Sequence, residues 1–369
     1  MDQPAPPAAK LANLFGLATW SVIAPLLAVA ALLLGKPETL FPALVAGLLL
    51  AGAIMAAVYH AEVLAHYLGE PFGTLTLALA VTVIEVSLIV SIMLGGGDGV
   101  QSLARDTLMA ALMITINGIV GLCLLAGGRR HHEQSYTQSG VNAGLAMLAT
   151  LSVLVLILPN YTVTAPGAFY SARQLLFVAA VSLIVYATFV LAQTIRHRDH
   201  FLHHIEDADD HAHEPGVPRA KAAAAAGVLL VALVGVVLLA KSLSPMIEAG
   251  VAAAGAPRAL VGIIIATLVL APEGFAAYRA AKANRVQTSL NLAIGSALAA
   301  IGLTIPAVAA VALVLGLDLE LGLSPKGVVL LALTLLVAAL TLGRGRTTIV
   351  QGVIHLVLFA TYLFTTIVP

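Results

Sequence analysis

The chain has 369 residues, 60% of them hydrophobic and 10% charged, with a mean hydropathy of +1.02. A soluble domain is about one quarter charged, so a water-soluble globular protein is excluded. Eighteen Lys and Arg balance eighteen Asp and Glu; this leaves no net basic surface for nucleic acid, and the single cysteine excludes an internal disulfide.

Runs of about 20 apolar residues are long enough to cross a bilayer as helices. In chain order, cutting at Gly, Pro and charged clusters predicts eleven spans: 17–34, 40–59, 73–94, 107–127, 141–158, 172–194, 221–241, 258–278, 288–316, 326–342 and 347–368. The first run is too long for a signal-peptide core and has no cleavage-type sequence before the next apolar run, so it is read as a retained helix. Pro306, inside the ninth span, predicts a kink or break there, because proline lacks a backbone donor.

Alternate connecting segments carry twelve and six of the 18 Lys and Arg. The basic-rich side is expected to be cytoplasmic, which puts the N-terminus inside and the C-terminus outside. The longest polar stretch, from Arg196 to Arg219, holds six histidines and six acids. Five spans precede it after the first helix, and five follow it. An odd number per half means that the second half enters the membrane in the opposite sense, the arithmetic of an inverted repeat. The expected fold class is an all-α integral membrane protein with about eleven transmembrane helices, one N-terminal helix plus two inverted five-helix repeats. The segments are 1–35 (N-terminal tail and first helix), 36–195 (first repeat), 196–220 (acidic, His-rich cytoplasmic connector) and 221–369 (second repeat).

Two acids lie deep in the spans. Glu85 falls within GTLTLALAVTVIEVSLIVSIML and Glu273 within LVGIIIATLVLAPEGFAAYRA. Both are in the second helix of their repeat, near mid-membrane. A carboxylate at that depth costs at least about 2.5 kcal/mol on insertion scales, and two at matching positions point to function. Two facing carboxylates in low dielectric resist joint ionisation, so the pair must hold either protons or a cation. Thr82 lies one turn from Glu85 on the same helix, and Pro272 frees a carbonyl beside Glu273. Asn117, Asn291 and Ser296 add neutral oxygen donors. Oxygen-only ligands suit Ca²⁺ or Na⁺, and no deep Cys/His cluster favours zinc.

At these residues the chain resembles the calcium/cation antiporter superfamily, in particular its proton-exchanging bacterial branch of the ChaA type. The resemblance is carried by GTLTLALAVTVIEVSLI, RDTLMAALMITINGIVGLCLLAGGR, LAPEGFAAYRAAKANRVQTSLNLAIGSALAAIGLTIPAV and GRTTIVQGVIHLVLFATYL. It implies a paired-glutamate site, Glu85 and Glu273, alternately loaded with cation and protons. Many calcium/proton exchangers carry Gly-Asn-x-x-Glu in each repeat. Here Val81-Thr82 and Val269-Leu270 stand in the Gly-Asn places, and Ala299 stands where an amide follows GSA. Fewer amide ligands imply a less specialised cage, open to Na⁺ and K⁺ as well as Ca²⁺.

The function expected is cation export in exchange for protons by alternating access, in a bacterial inner membrane. No enzyme activity and no cofactor are expected, the ions being cargo. Partners are inorganic cations, protons and the bilayer, with homo-oligomerisation left open. A proton-coupled transporter or channel for another inorganic cation is the alternative. A channel calls for a polar stripe along several helices, and an intramembrane aspartyl protease for deep Asp residues; neither pattern is present. The connector acids Glu206, Asp207, Asp209 and Asp210 are candidate ligands for a regulatory metal, although the segment lacks EF-hand spacing and reads equally as a solvated linker. His355, inside the last span, is either a hydrogen-bonded packing residue or a proton relay.

Overall fold

In hydrocarbon the backbone must satisfy its own N–H and C=O groups, which leaves helices as the solution for runs this apolar. The computed structural model describes residues 16–33, 35–69, 72–94, 100–201 and 217–368. Its helices are α1 (Thr19–Leu32), α2 (Leu40–Leu68), α3 (Phe72–Met93), α4 (Leu103–Leu112), α5 (Val120–His131), α6 (Gln138–Ser152), α7 (Ala172–Leu191), α8 (Arg219–Ala253), α9 (Ala259–Lys282), α10 (Val286–Gly302), α11 (Thr304–Leu315), α12 (Pro325–Leu342) and α13 (Ile349–Ile367). A π-helical segment, Met113–Ile119, joins α4 to α5, so that Leu103–His131 forms one span. Likewise α10 and α11 form one span, Val286–Leu315.

Among the described residues, ten spans are long and apolar enough to cross a membrane, and the shorter α1 makes an eleventh apolar helix. The chain is a multi-pass membrane protein. The predicted order of spans holds, while their ends move. α2 runs on to Leu68 rather than 59, and α8 continues past Lys241 and Pro245 to Ala253. A charged residue need not stop a helix, since a long Lys side chain reaches back towards water. One departure from an all-helical chain is a two-stranded antiparallel ribbon, β1 (Glu133–Ser135) with β2 (Arg346–Thr348), which pairs Glu133 with Thr348 and Ser135 with Arg346.

Two compact units form, and each draws on both halves of the chain. The first comprises residues up to Ile84 and Pro215–Met246; the second comprises Glu85–Glu214 and Ile247–Pro369. Within the first, Leu17, Val22, Val63 and Ala225 form an apolar core. Pro25 has no N–H to give to the Ser21 carbonyl one turn earlier. The buried His60 ring fills that place, with Nε2 at 3.0 Å from the Ser21 oxygen. The bend-prone turn of α1 is thereby satisfied by a side chain of α2.

Within the second unit, the span of α4 and α5 is the most enclosed. α5 crosses α13 at glycines: a Cβ on Gly352 would lie 2.5 Å from the Leu125 nitrogen, and one on Gly121 would lie 3.0 Å from Leu356 Cγ. Residues without side chains let two backbones meet this closely. Arg105, at the start of α4, donates from Nη1 to Glu320 Oε1 at 2.7 Å and to the Gly322 carbonyl at 3.1 Å, tying down the connection between α11 and α12. Helix starts follow their sequences. Ser324 caps α12 ahead of Pro325, and Thr348 with Gln351 makes a capping box on α13.

Candidate functional site

Glu85 sits in α3 and is 5% exposed. Its Oε2 accepts a 2.6 Å hydrogen bond from Thr304 Oγ1. Glu273 sits in α9, partly buried, and its Oε2 accepts a 2.5 Å hydrogen bond from Ser296 Oγ. Both hydroxyls belong to the same span, Ser296 in α10 and Thr304 at the first position of α11. The two acids also lie within electrostatic reach of each other. One broken helix therefore serves both carboxylates.

The break has a local cause. Pro306 cannot donate to the Gly302 carbonyl four residues earlier, and the chain leaves helical assignment at Leu303, between Gly302 and Thr304. The predicted kink is thus present, three residues ahead of the proline that causes it. Gly302 also meets α7: a Cβ there would lie 2.6 Å from Tyr186 Cβ. The position takes only glycine without displacing α7. In α9, Pro272 similarly withholds a donor from the Leu268 carbonyl, one turn before Glu273. Carbonyls released in this way are cation ligands where the backbone lines a site.

The other expected ligands go to different places. Thr82 turns its hydroxyl back to the Ala78 carbonyl at 2.7 Å, a bond within its own helix. Asn117, in the π segment, is fully buried; its Nδ2 donates to Thr334 Oγ1 at 2.8 Å, and its Oδ1 lies 3.0 Å from His355 Nδ1. Asn291 accepts from Gln287 Nε2 at 3.0 Å and donates to the Phe201 carbonyl at 2.6 Å, so it anchors the described start of the connector. Of the five supporting residues, Ser296 is joined to a carboxylate by its side chain and Pro272 adjoins one in the chain. Thr304 was not foreseen. Its signal is a hydroxyl two residues before a proline in an otherwise apolar span.

Glu206, Asp207, Asp209 and Asp210 lie outside the described residues. Among the described residues no group of three or more His, Cys, Asp or Glu could hold a metal ion. Just outside the spans, burial pushes the Tyr136 hydroxyl up to about 12, and it donates to the Leu342 carbonyl at 3.0 Å. It remains a donor throughout the physiological range.

A family model described as sodium/calcium exchanger protein matches residues 39–195 and 224–368, most of the chain and both halves of it. The chain belongs to this exchanger family. The y4hA protein of Sinorhizobium fredii is 46% identical to this exchanger over 324 residues, 87% of each chain. The sodium-potassium/proton antiporter ChaA of Escherichia coli is 37% identical over 352 residues, 94% of this chain and 95% of the relative. Among solved structures, the H⁺/Ca²⁺ exchanger CAX superposes with a TM-score of 0.72 at 17% identity, covering 93% of this chain and 86% of that one. That likeness shows the fold of this family member. The two matched segments flank the polar connector, where the sequence itself divides.

Proposed function

We propose that this exchanger moves cations out of the cytoplasm of a bacterium in return for protons, by alternating access around Glu85 and Glu273. The observation that carries the reading is the pair of hydroxyl bonds. Thr304 and Ser296 are neutral donors, so they orient the two carboxylates without cancelling their charge. Charge at bilayer depth is costly. Protons or a cation suit that place, and the two loads exclude each other.

In the cycle, the ionised pair takes up a cation on the cytoplasmic side. The neutralised site reorients; an empty, charged site is held back by the cost of presenting carboxylates to hydrocarbon. Protons on the far side displace the cation and bring the site back. The carbonyls of Gly302 and Leu268, released by their prolines, extend the oxygen set. Hydroxyls, carboxylates and carbonyls together suit hard cations, Ca²⁺, Na⁺ or K⁺. The names of the ChaA and CAX relatives, sodium-potassium/proton antiporter and H⁺/Ca²⁺ exchanger, support the same cargo. We place the protein in the inner membrane with its N-terminus inside, from the distribution of Lys and Arg.

The test is proton-driven uptake of radiolabelled calcium, sodium and potassium, run in parallel in everted vesicles. Wild type takes up at least one of the three when a proton gradient is imposed, and the Glu85→Gln, Glu273→Gln double variant takes up none. Full transport by the double variant overturns the reading.

A further inference from the structure

A second buried polar cluster surrounds His355 of α13. The ring is fully buried, with Nδ1 at 3.0 Å from Asn117 Oδ1 and Nε2 at 2.8 Å from Thr341 Oγ1. Asn117 Nδ2 donates to Thr334 Oγ1, and Thr334 in turn meets Met113 Sδ at 3.4 Å. An amide oxygen is an acceptor only, so Nδ1 carries a proton. The state of Nε2 is then the open variable.

Thr341 satisfies the hydrogen bonding of both states. Its Oγ1 lies 2.8 Å from Nε2 and 2.7 Å from the Val337 carbonyl of its own helix. With the ring neutral, the hydroxyl donates to Nε2. With a proton added, Nε2–H donates to Oγ1, and the hydroxyl hydrogen turns to the Val337 oxygen. No heavy atom moves and no partner is lost. A buried polar group generally has a full set of partners in one protonation state and forfeits one in the other. This imidazole forfeits none.

The position also suits a route. Thr341 lies one residue from the end of α12, beside the β1–β2 ribbon, and Thr334 lies seven residues further in, about 10 Å along the helix. The π segment that carries Asn117 also meets α9: Ile119 Cδ1 would lie 3.0 Å from a Cβ on Gly274, the residue after Glu273. The cluster therefore connects the ribbon end of the span to the helix of a site carboxylate. Charged groups on the elements packed against α13 are engaged elsewhere: Arg105 with Glu320, Lys326 with the Thr365 carbonyl, Arg346 with Glu133, and Glu273 with Ser296. His131 meets the Lys282 carbonyl beside Arg129 and Arg130 at the far end of α5, the Cys123 thiol faces Ser289, and Tyr362 on α13 itself is within reach of Asp106.

We propose that His355 Nε2 is a proton-binding position of the transport cycle, separate from the carboxylate pair and served by Thr341 in both of its states. Its part in transport rests on the proton-coupled reading above; its capacity to bind a proton does not. The test uses the full-length chain in lipid, with ¹⁵N-labelled histidine, the His355 signal being assigned by its absence from His355→Gln. The pH is scanned from about 3 to 9; in wild type, Nδ1 stays protonated while Nε2 gains and loses its proton reversibly within that range. Thr341→Val abolishes that titration or moves it by more than about one pH unit, and the pH midpoint of proton-driven uptake moves with it. Thr341→Ser restores both. A His355 signal that never changes over that range overturns the proposal, as does a wild-type pH midpoint in both His355→Gln and Thr341→Val. In the double glutamine variant the His355 titration persists even though uptake is lost, so failure of the carboxylate reading is seen separately.

Discussion

The second compact unit holds two intramembrane polar clusters that meet the cost of burial in opposite ways. Around His355, every polar side chain answers another: imidazole to amide, amide to hydroxyl, hydroxyl to imidazole. Around Glu85 and Glu273, each acid receives a neutral hydroxyl, and on the proposed cycle its charge is met by cation or protons. Closure of the first set gives a cluster complete without cargo. On the proposed reading, the second set exchanges cargo for protons.

This contrast can be broken at four points, in decreasing size of effect. Glu273→Gln alone abolishes exchange to background in the vesicle assay while leaving the thermal midpoint in detergent unchanged or higher, because a neutral amide replaces a costly charge. A sharp fall in midpoint would mean that the acid is structural. Asn117→Leu acts the other way. It takes the amide partner from the Thr334 hydroxyl and His355 Nδ1, and lowers stability by about 2 kcal/mol, read as a drop in thermal midpoint. An unchanged midpoint would show that the cluster is not closed. Thr304→Val removes the hydroxyl from Glu85 and raises the KM for cation about tenfold, near 1.4 kcal/mol, and Thr304→Ser restores it. Equal KM values in wild type and Thr304→Val would detach Thr304 from the site. The smallest effect is at Asn291→Ala, which loosens Phe201 and costs about 1 kcal/mol of stability with the cation KM unaltered. A KM rise matching that of Thr304→Val would return Asn291 to the ligand set.

The spans and the two deep acids are legible in the sequence because lipid imposes a coarse rule: long apolar runs become helices, and acids within them are exceptional. Ser296 is legible as one of several neutral oxygen donors within the spans. The choice of partner is not. Asn117, Asn291 and Thr82 are the same kinds of residue as Ser296, and nothing in their own segments says whether they face an acid, a histidine, a loop carbonyl or their own helix. That depends on which helices become neighbours and on their rotation. Thr304 was missed for the same reason, its partner lying 219 positions away. The π segment around Asn117 arises where α4 and α5 must present different faces to α9 and α13, a demand made by neighbours. Strands β1 and β2 are each three residues long, too short for a periodic pattern to register.

The interruption at Leu303 lies between the two hydroxyls that hold the acids. Were Val286–Leu315 a straight rod, Ser296 and Thr304 would keep one fixed separation, and whatever happened at one carboxylate would be imposed on the other. On the proposed cycle, an interruption between them would let α11 shift against α10, loosening the Thr304 bond to Glu85 while the Ser296 bond to Glu273 holds. On that reading, one proline would give the two acids separately adjustable clasps, so that loading and unloading need not occur at both in the same instant.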